Sequence, residues 1–200
     1  MLKADPTAGS AVRIGPMRLI FRLPALPAGL MLLILGSGLL GGNVALAAQS
    51  VGVAAAVLPD VTGTAPAEAA RVLRIGVDIV VNERVVTDAK GRLQLLFLDG
   101  SALTVGPNSD VVIDKFVYDP DAETGALTFS ATKGLFRLVG GKISKKTQVL
   151  LKTPQALIGI RGGIVTARAT DAGVTAIFHF GDRMTVESGG VTVAADRPGF

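Results

Sequence analysis

Between Leu93 and Ile113 apolar and polar positions alternate with period two, interrupted by turn residues: LQLLFLDGSALTVGPNSDVVI. Leu93, Leu95 and Phe97 fall on one face of an extended segment, with Gln94, Leu96 and Leu98 on the other. Both faces become apolar toward Asp99-Gly100, which predicts burial on both sides there. Asp-Gly suits a tight hairpin, because glycine accepts positive φ and aspartate tolerates it. The expected return brings Leu103 and Val105 beside Phe97 and Leu95, and Pro107, lacking an amide donor, ends the ladder.

The same short period runs on either side. Val72 to Val86 is β-branched and reads as two strands around Asn82-Glu83-Arg84. Further strands are expected at Val111–Tyr118, Ala126–Ala131, Gly134–Val139, Val149–Lys152, Ala156–Ile160, Ile164–Ala169, Val174–Phe180, Met184–Glu187 and Val191–Ala194. Glycine-containing turns separate them at intervals of about ten residues, the pattern of an all-β domain. No stretch after Ala70 has sustained helical periodicity. Residues 48–70, rich in Ala, Val, Gly and Pro, read as a linker, and residues 71–200 as the domain.

Residues 1–47 differ in kind. Lys3, Arg13, Arg18 and Arg22 precede an apolar run from Leu26 to Leu40, which ends in Ala45-Leu46-Ala47. Basic, apolar and small-residue regions in that order predict a secretory signal peptide. The alternative is an uncleaved membrane anchor with a cytoplasmic N-terminus. Either places the domain outside the cytoplasm, periplasmic or secreted.

The 200 residues carry a formal charge of +4. Setting aside Lys3, Arg13, Arg18, Arg22 and Asp5 leaves 16 basic residues against 15 acidic, so the positive balance belongs to the leader. Only Lys142, Lys145 and Lys146 cluster, beside Gly140-Gly141, and they read as a solvated loop; no nucleic-acid partner is expected. Without cysteine no disulfide can staple the fold, and stability must come from the sheet core.

Three ordered segments carry a family likeness: the Leu93–Ile113 unit, Lys133-Gly134-Leu135-Phe136-Arg137, and Thr153-Pro154-Gln155-Ala156-Leu157-Ile158-Gly159-Ile160-Arg161-Gly162-Gly163-Ile164-Val165. Together they resemble the FecR domain family over roughly residues 71–187. Where that family usually has Thr after its Arg-Gly pair, this chain has Gly163. The resemblance implies a twisted β-roll or solenoid-like stack of short strands, with a two-sheet β-sandwich as the alternative from periodicity alone. It also implies a non-enzymatic binding and signal-relay module acting on an envelope protein. Classical members join a cytoplasmic anti-sigma segment, one transmembrane helix and this domain. Here about 22 residues precede the apolar run, which leaves the extracytoplasmic half of that plan as the expectation. A structural or adhesive module of an exported protein is the second expectation.

Candidate site residues are few. Arg161 beside Gly162-Gly163 reads either as a guanidinium offered to a partner's carboxylate or as one that hydrogen-bonds carbonyls around a bend. Asp99-Gly100 is a turn with a carboxylate. Ser101 and Ser109 are expected to cap backbone amides. Asp119, Asp121 and Glu123 begin like a calcium loop, but no terminal bidentate carboxylate follows, so an acidic turn is expected. His179 is the only histidine and is placed on a solvated strand face. One histidine and no cysteine supply neither a triad nor a zinc site, and no cofactor or metal is expected. The membrane is reached only through the N-terminal segment, if that is uncleaved.

Overall fold

The computed structural model describes residues 49–199. The leader expected over residues 1–47 lies outside them. Thirteen strands and one short helix follow in order. They are β1 (Ser50–Leu58), β2 (Val61–Thr64), β3 (Arg71–Val72), β4 (Asp78–Val80), β5 (Arg84–Thr87), β6 (Arg92–Phe97) and β7 (Ala102–Val105). After these come β8 (Asp110–Asp119), β9 (Thr124–Val139), α1 (Lys142–Lys146), β10 (Val149–Lys152), β11 (Leu157–Thr170), β12 (Gly173–Ser188) and β13 (Val191–Ala195). Among the described residues no helix is long and apolar enough to cross a membrane.

All thirteen strands belong to one mixed, open sheet with the main order β13-β12-β11-β10-β9-β7-β6-β1-β4; β2, β3, β5 and β8 branch from it through β8 on β9. The β9/β10 pairing is parallel and the rest are antiparallel. One face of the strands feeds a single cluster that includes Val51, Leu95, Ile113, Phe136, Ile158 and Phe178. A continuous sheet that buries one face in one core must fold over itself. Phe97 of β6 stacks on Phe116 of β8 at 5.8 Å and meets Phe129 of β9 at 5.5 Å, although β6 and β8 are not sheet neighbours. Each such fully buried side chain contributes about 2 kcal/mol through removal of apolar area from water.

Several expectations are corrected. The supposed linker carries β1 and β2: β1 pairs with β6 and β4, and Val51, Ala54 and Val61 are core residues. Small residues serve as well as large ones where strands pack closely, so composition misreads this segment as a tether. The hairpin register also differs, with Leu103 opposite Leu95 and Val105 opposite Leu93. The turn spans three residues: Phe97 N–H donates to the Ser101 carbonyl at 2.9 Å, and Gly100, at φ 80°, donates to the Phe97 carbonyl at 3.0 Å. Leu96 and Leu98 are 45% and 63% exposed rather than buried. Pairs of strands expected on either side of Thr132, Gly162 and Gly181 prove continuous as β9, β11 and β12, because glycine bends these strands without ending them. Lys142–Lys146, expected as loop, is helical; five residues are too few for periodicity to register.

Candidate functional site

Two segments singled out by sequence, Asp99-Gly100 and Arg161-Gly162-Gly163, flank the same corner, Gly140-Gly141. Lys142 N–H donates to the Asp99 carbonyl at 2.9 Å, and Gly140 N–H donates to the Gly163 carbonyl at 2.8 Å. Around this corner the two candidates have different fates.

Asp99 faces inward and is 1% exposed. Its carboxylate accepts from Ser101 N–H at 3.0 Å, Ser101 Oγ at 2.7 Å and Ile143 N–H at 3.2 Å. Ser101 Oγ in turn accepts from Gly141 N–H at 2.9 Å. α1 has no side-chain cap of its own. The hairpin turn supplies one from a distance, placing a carboxylate where the first amides of a helix need an acceptor. Asp99, Gly100 and Ser101 therefore weld the β6–β7 turn to the corner. Ser109 does a similar service, accepting from Leu135 N–H at 3.1 Å while donating to the Gly106 carbonyl at 2.8 Å.

Arg161 points outward from β11. Its ladder partner is Arg183 of β12, also exposed, flanked by the buried pair Ile160 and Met184. Among the described residues neither guanidinium forms an ion pair, and Arg161 makes no hydrogen bond to a backbone carbonyl around the bend. Like charges directly opposite across an antiparallel pair are destabilising, so this pair has no evident structural reason to be there.

Gly163 lies at φ 135° opposite Gly181 at φ 134°. A Cβ on Gly163 would stand 1.8 Å from the Phe180 carbonyl oxygen, and one on Gly181 would stand 1.6 Å from that of Gly162. The two strands cross here at a separation that only two facing glycines allow. In this chain position 163 has no side chain to contribute to a site; its part is to let β11 and β12 close up. Beside the crossing is a cavity of about 570 Å³, bordered by Val139, Lys145, Gly162, Phe180 and Asp182.

His179 is the extra residue of a bulge: Ile164 pairs with Phe180 and Val165 with Phe178. It is exposed, as expected, with Nε2 2.9 Å from Thr166 Oγ1. The bulge has a consequence that simple alternation misses. It buries Phe178 yet turns Phe180 outward at 67% exposure. In the acidic turn Asp119 Oδ1 accepts the amides of Asp121 and Ala122 at 3.0 and 3.1 Å, and Glu123 pairs with Lys142. The Lys142 ammonium holds the Glu123 carboxyl below its usual range, and Glu123 raises Lys142 in return. Among the described residues no group of three or more His, Asp or Glu side chains gathers as a metal site.

Arg183 and Phe180 are the surface residues that sequence reasoning missed, and Lys145, read there as part of a solvated loop, borders the same cavity as Phe180. The signal was present in Phe180-Gly181-Asp182-Arg183, a glycine turn bracketed by an aromatic and a cation, but its relation to Arg161 depends on a long-range register.

The FecR protein family matches the chain over residues 83–192, more than half its length. The chain belongs to the FecR family. The match begins at Glu83, so β1 to β4 lie outside it, although β1 pairs along β6 within the same sheet. Two crystal structures of a candidate anti-sigma factor from Parabacteroides distasonis ATCC 8503 are similar, at 10% and 12% identity and TM-scores of 0.44 and 0.43. Each comparison covers 56% of this chain, which spans about half the length of the solved chains it matches. No curated protein matches the chain.

Proposed function

We propose that this FecR-family chain is an extracytoplasmic binding and signal-relay module that works through protein–protein contacts in the cell envelope, without catalysis. The observation that carries the reading is the outward pair Arg161 and Arg183, unpaired with acid among the described residues and standing beside the glycine crossing. Two adjacent guanidiniums are suited to a carboxylate brought by another molecule, since each offers a planar fork of donors. The inward use of Asp99 supports the same division, with the turn motif holding the fold and the Arg-Gly-Gly motif left facing solvent.

A photo-crosslinking amino acid placed at position 161 in living cells tests the reading, combined with fractionation and N-terminal sequencing of the product. The expected result is a periplasmic protein, its mature chain starting at Ala48, that crosslinks to a discrete envelope protein. A cytoplasmic product, or one that gives no crosslink from position 161, would overturn it.

A further inference from the structure

The ladder registers align six outward-facing apolar residues across six strands. Phe180 of β12 pairs with Ile164 of β11, Ile164 with Val139 of β9, Val139 with Ala102 of β7, Ala102 with Leu96 of β6, and Leu96 with Val53 of β1. Their strand neighbours Val165, Leu138, Leu103 and Leu95 are buried, which fixes the row on the opposite, outer face. Phe180, Leu96 and Val139 are 67%, 45% and 39% exposed. At a strand spacing of about 4.8 Å the row runs about 24 Å.

An apolar row of this length on the solvent face of a sheet calls for a covering element. Its borders say what kind. On one side runs a polar row, Thr166, Arg137, Thr104 and Gln94, in the same register. On the other, three residues further along β11 and β12, stand Arg161 and Arg183, with Lys145 and Asp182 at the cavity near Phe180. Four cations therefore border the row against one acid, and none of the four is in an ion pair among the described residues.

We propose that this row is a docking track for an acidic polypeptide segment of a partner protein, whose apolar side chains lie along Phe180, Ile164, Val139 and Leu96 and whose carboxylates reach Arg137, Arg161 and Arg183. The polar border on β6, β7 and β9 favours a polypeptide over a membrane. There the next same-face position, about 7 Å away, is Gln94, Thr104 and Arg137, while on β12 it is the exposed Ile177 opposite Thr166. A bilayer would have to submerge those polar groups as well. The inference rests on the proposed binding role and names the partner's chemistry.

The probe is a labelled 18-residue peptide carrying Leu and Phe at every third or fourth position and Glu between them, titrated against the protein purified as its natural product. A counterpart with Lys in place of each Glu, and vesicles of phosphatidylglycerol and phosphatidylcholine, are titrated alongside. The Glu peptide should bind saturably and more weakly as salt rises. Its affinity should fall at least tenfold in Phe180→Ser and in Arg161→Glu/Arg183→Glu, both changes at exposed positions that leave the circular dichroism unaltered. Equal binding of the Lys peptide, no binding of the Glu peptide, vesicle binding alone, or a dimer that Phe180→Ser dissociates would each overturn it. A crosslink from position 161 that persists when the peptide fails would defeat this inference while leaving the binding role standing.

Discussion

The buried carboxylate of Asp99 accepts the amide of Ile143 at 3.2 Å across 44 residues of sequence. That bond makes the Asp-Gly-Ser turn a structural fastening, and removal of the carboxylate strands three donors in the interior. A buried unsatisfied donor costs about 1–3 kcal/mol, so Asp99→Ala should lose about 3 kcal/mol or more in urea unfolding. Asp99→Asn, which keeps one acceptor oxygen, should lose less. Hydrogen exchange of the Ile143 amide gives the local readout: it should accelerate in Asp99→Ala beyond what global destabilisation explains. Unchanged exchange there would refute the capping role.

What was legible in the chain was local. The Asp-Gly turn, the Pro107 break and the all-β class follow from adjacent residues and from a period of two. The hairpin register was not legible, because a three-residue turn and a two-residue turn share the same Asp-Gly signature. β1 was missed because its core residues include Ala54, which carries little strand signal. α1 was missed because its cap stands 44 residues upstream. Arg161 was legible as a candidate, but its partner Arg183 and the apolar row through Val139 exist only once five ladders are in register.

Glu83 is wholly buried in the turn between β4 and β5, with Arg71 Nη2 2.9 Å from its Oε1 and Val80 N–H donating to its Oε2 at 3.0 Å. Oε1 takes no well-aligned hydrogen bond, so the proximity of the arginine is its main compensation. Breaking a buried pair costs about 3–5 kcal/mol; because Arg71 is one-third exposed and water can partly replace it, Arg71→Ala should cost nearer 2 kcal/mol. Adding Glu83→Gln should recover part of that loss, since no charge is then left behind. Thermal unfolding of the single and double variants gives the comparison. A double variant less stable than Arg71→Ala would show that the pair is not the controlling interaction.

Arg84 and Asp110 join β5 to β8 through two bonds of 2.8 and 2.5 Å. Hydrogen bonding to the Arg84 guanidinium holds the Asp110 carboxyl below its usual range, against the opposing effect of burial. A carboxylate with a depressed folded value stabilises the fold fully above the unfolded value near 3.9, and that stabilisation fades as the pH falls from there through the folded value. Asp110→Asn should therefore be destabilised by about 0.5–1 kcal/mol at pH 7, discounted for the exposed arginine. The gap to the parent protein should narrow as the pH falls below the unfolded value near 3.9. Equal gaps at pH 7 and pH 3 in urea unfolding would remove the ion pair as the cause.

Gly163 is the position where this chain departs from the threonine usual in the family likeness, and the geometry says what restoring it would do. A Cβ there would stand 1.8 Å from the Phe180 carbonyl oxygen, and the backbone is at φ 135°, where an L side chain is strained. The strain alone costs about 1–3 kcal/mol, and β11 and β12 would also have to move apart at a crossing whose other member, Gly181, is equally tight. Gly163→Thr should therefore lower stability by about 3 kcal/mol or more, and Gly163→Ala by nearly as much, since the first carbon makes the clash. The consequence should extend to the surface, because separating the strands displaces Phe180 from Ile164 and Arg183 from Arg161. A crosslink from position 161 should fall in Gly163→Ala even at temperatures where the protein remains folded by circular dichroism. If Gly163→Thr were as stable as the parent, β11 and β12 could not cross as closely as their registers place them.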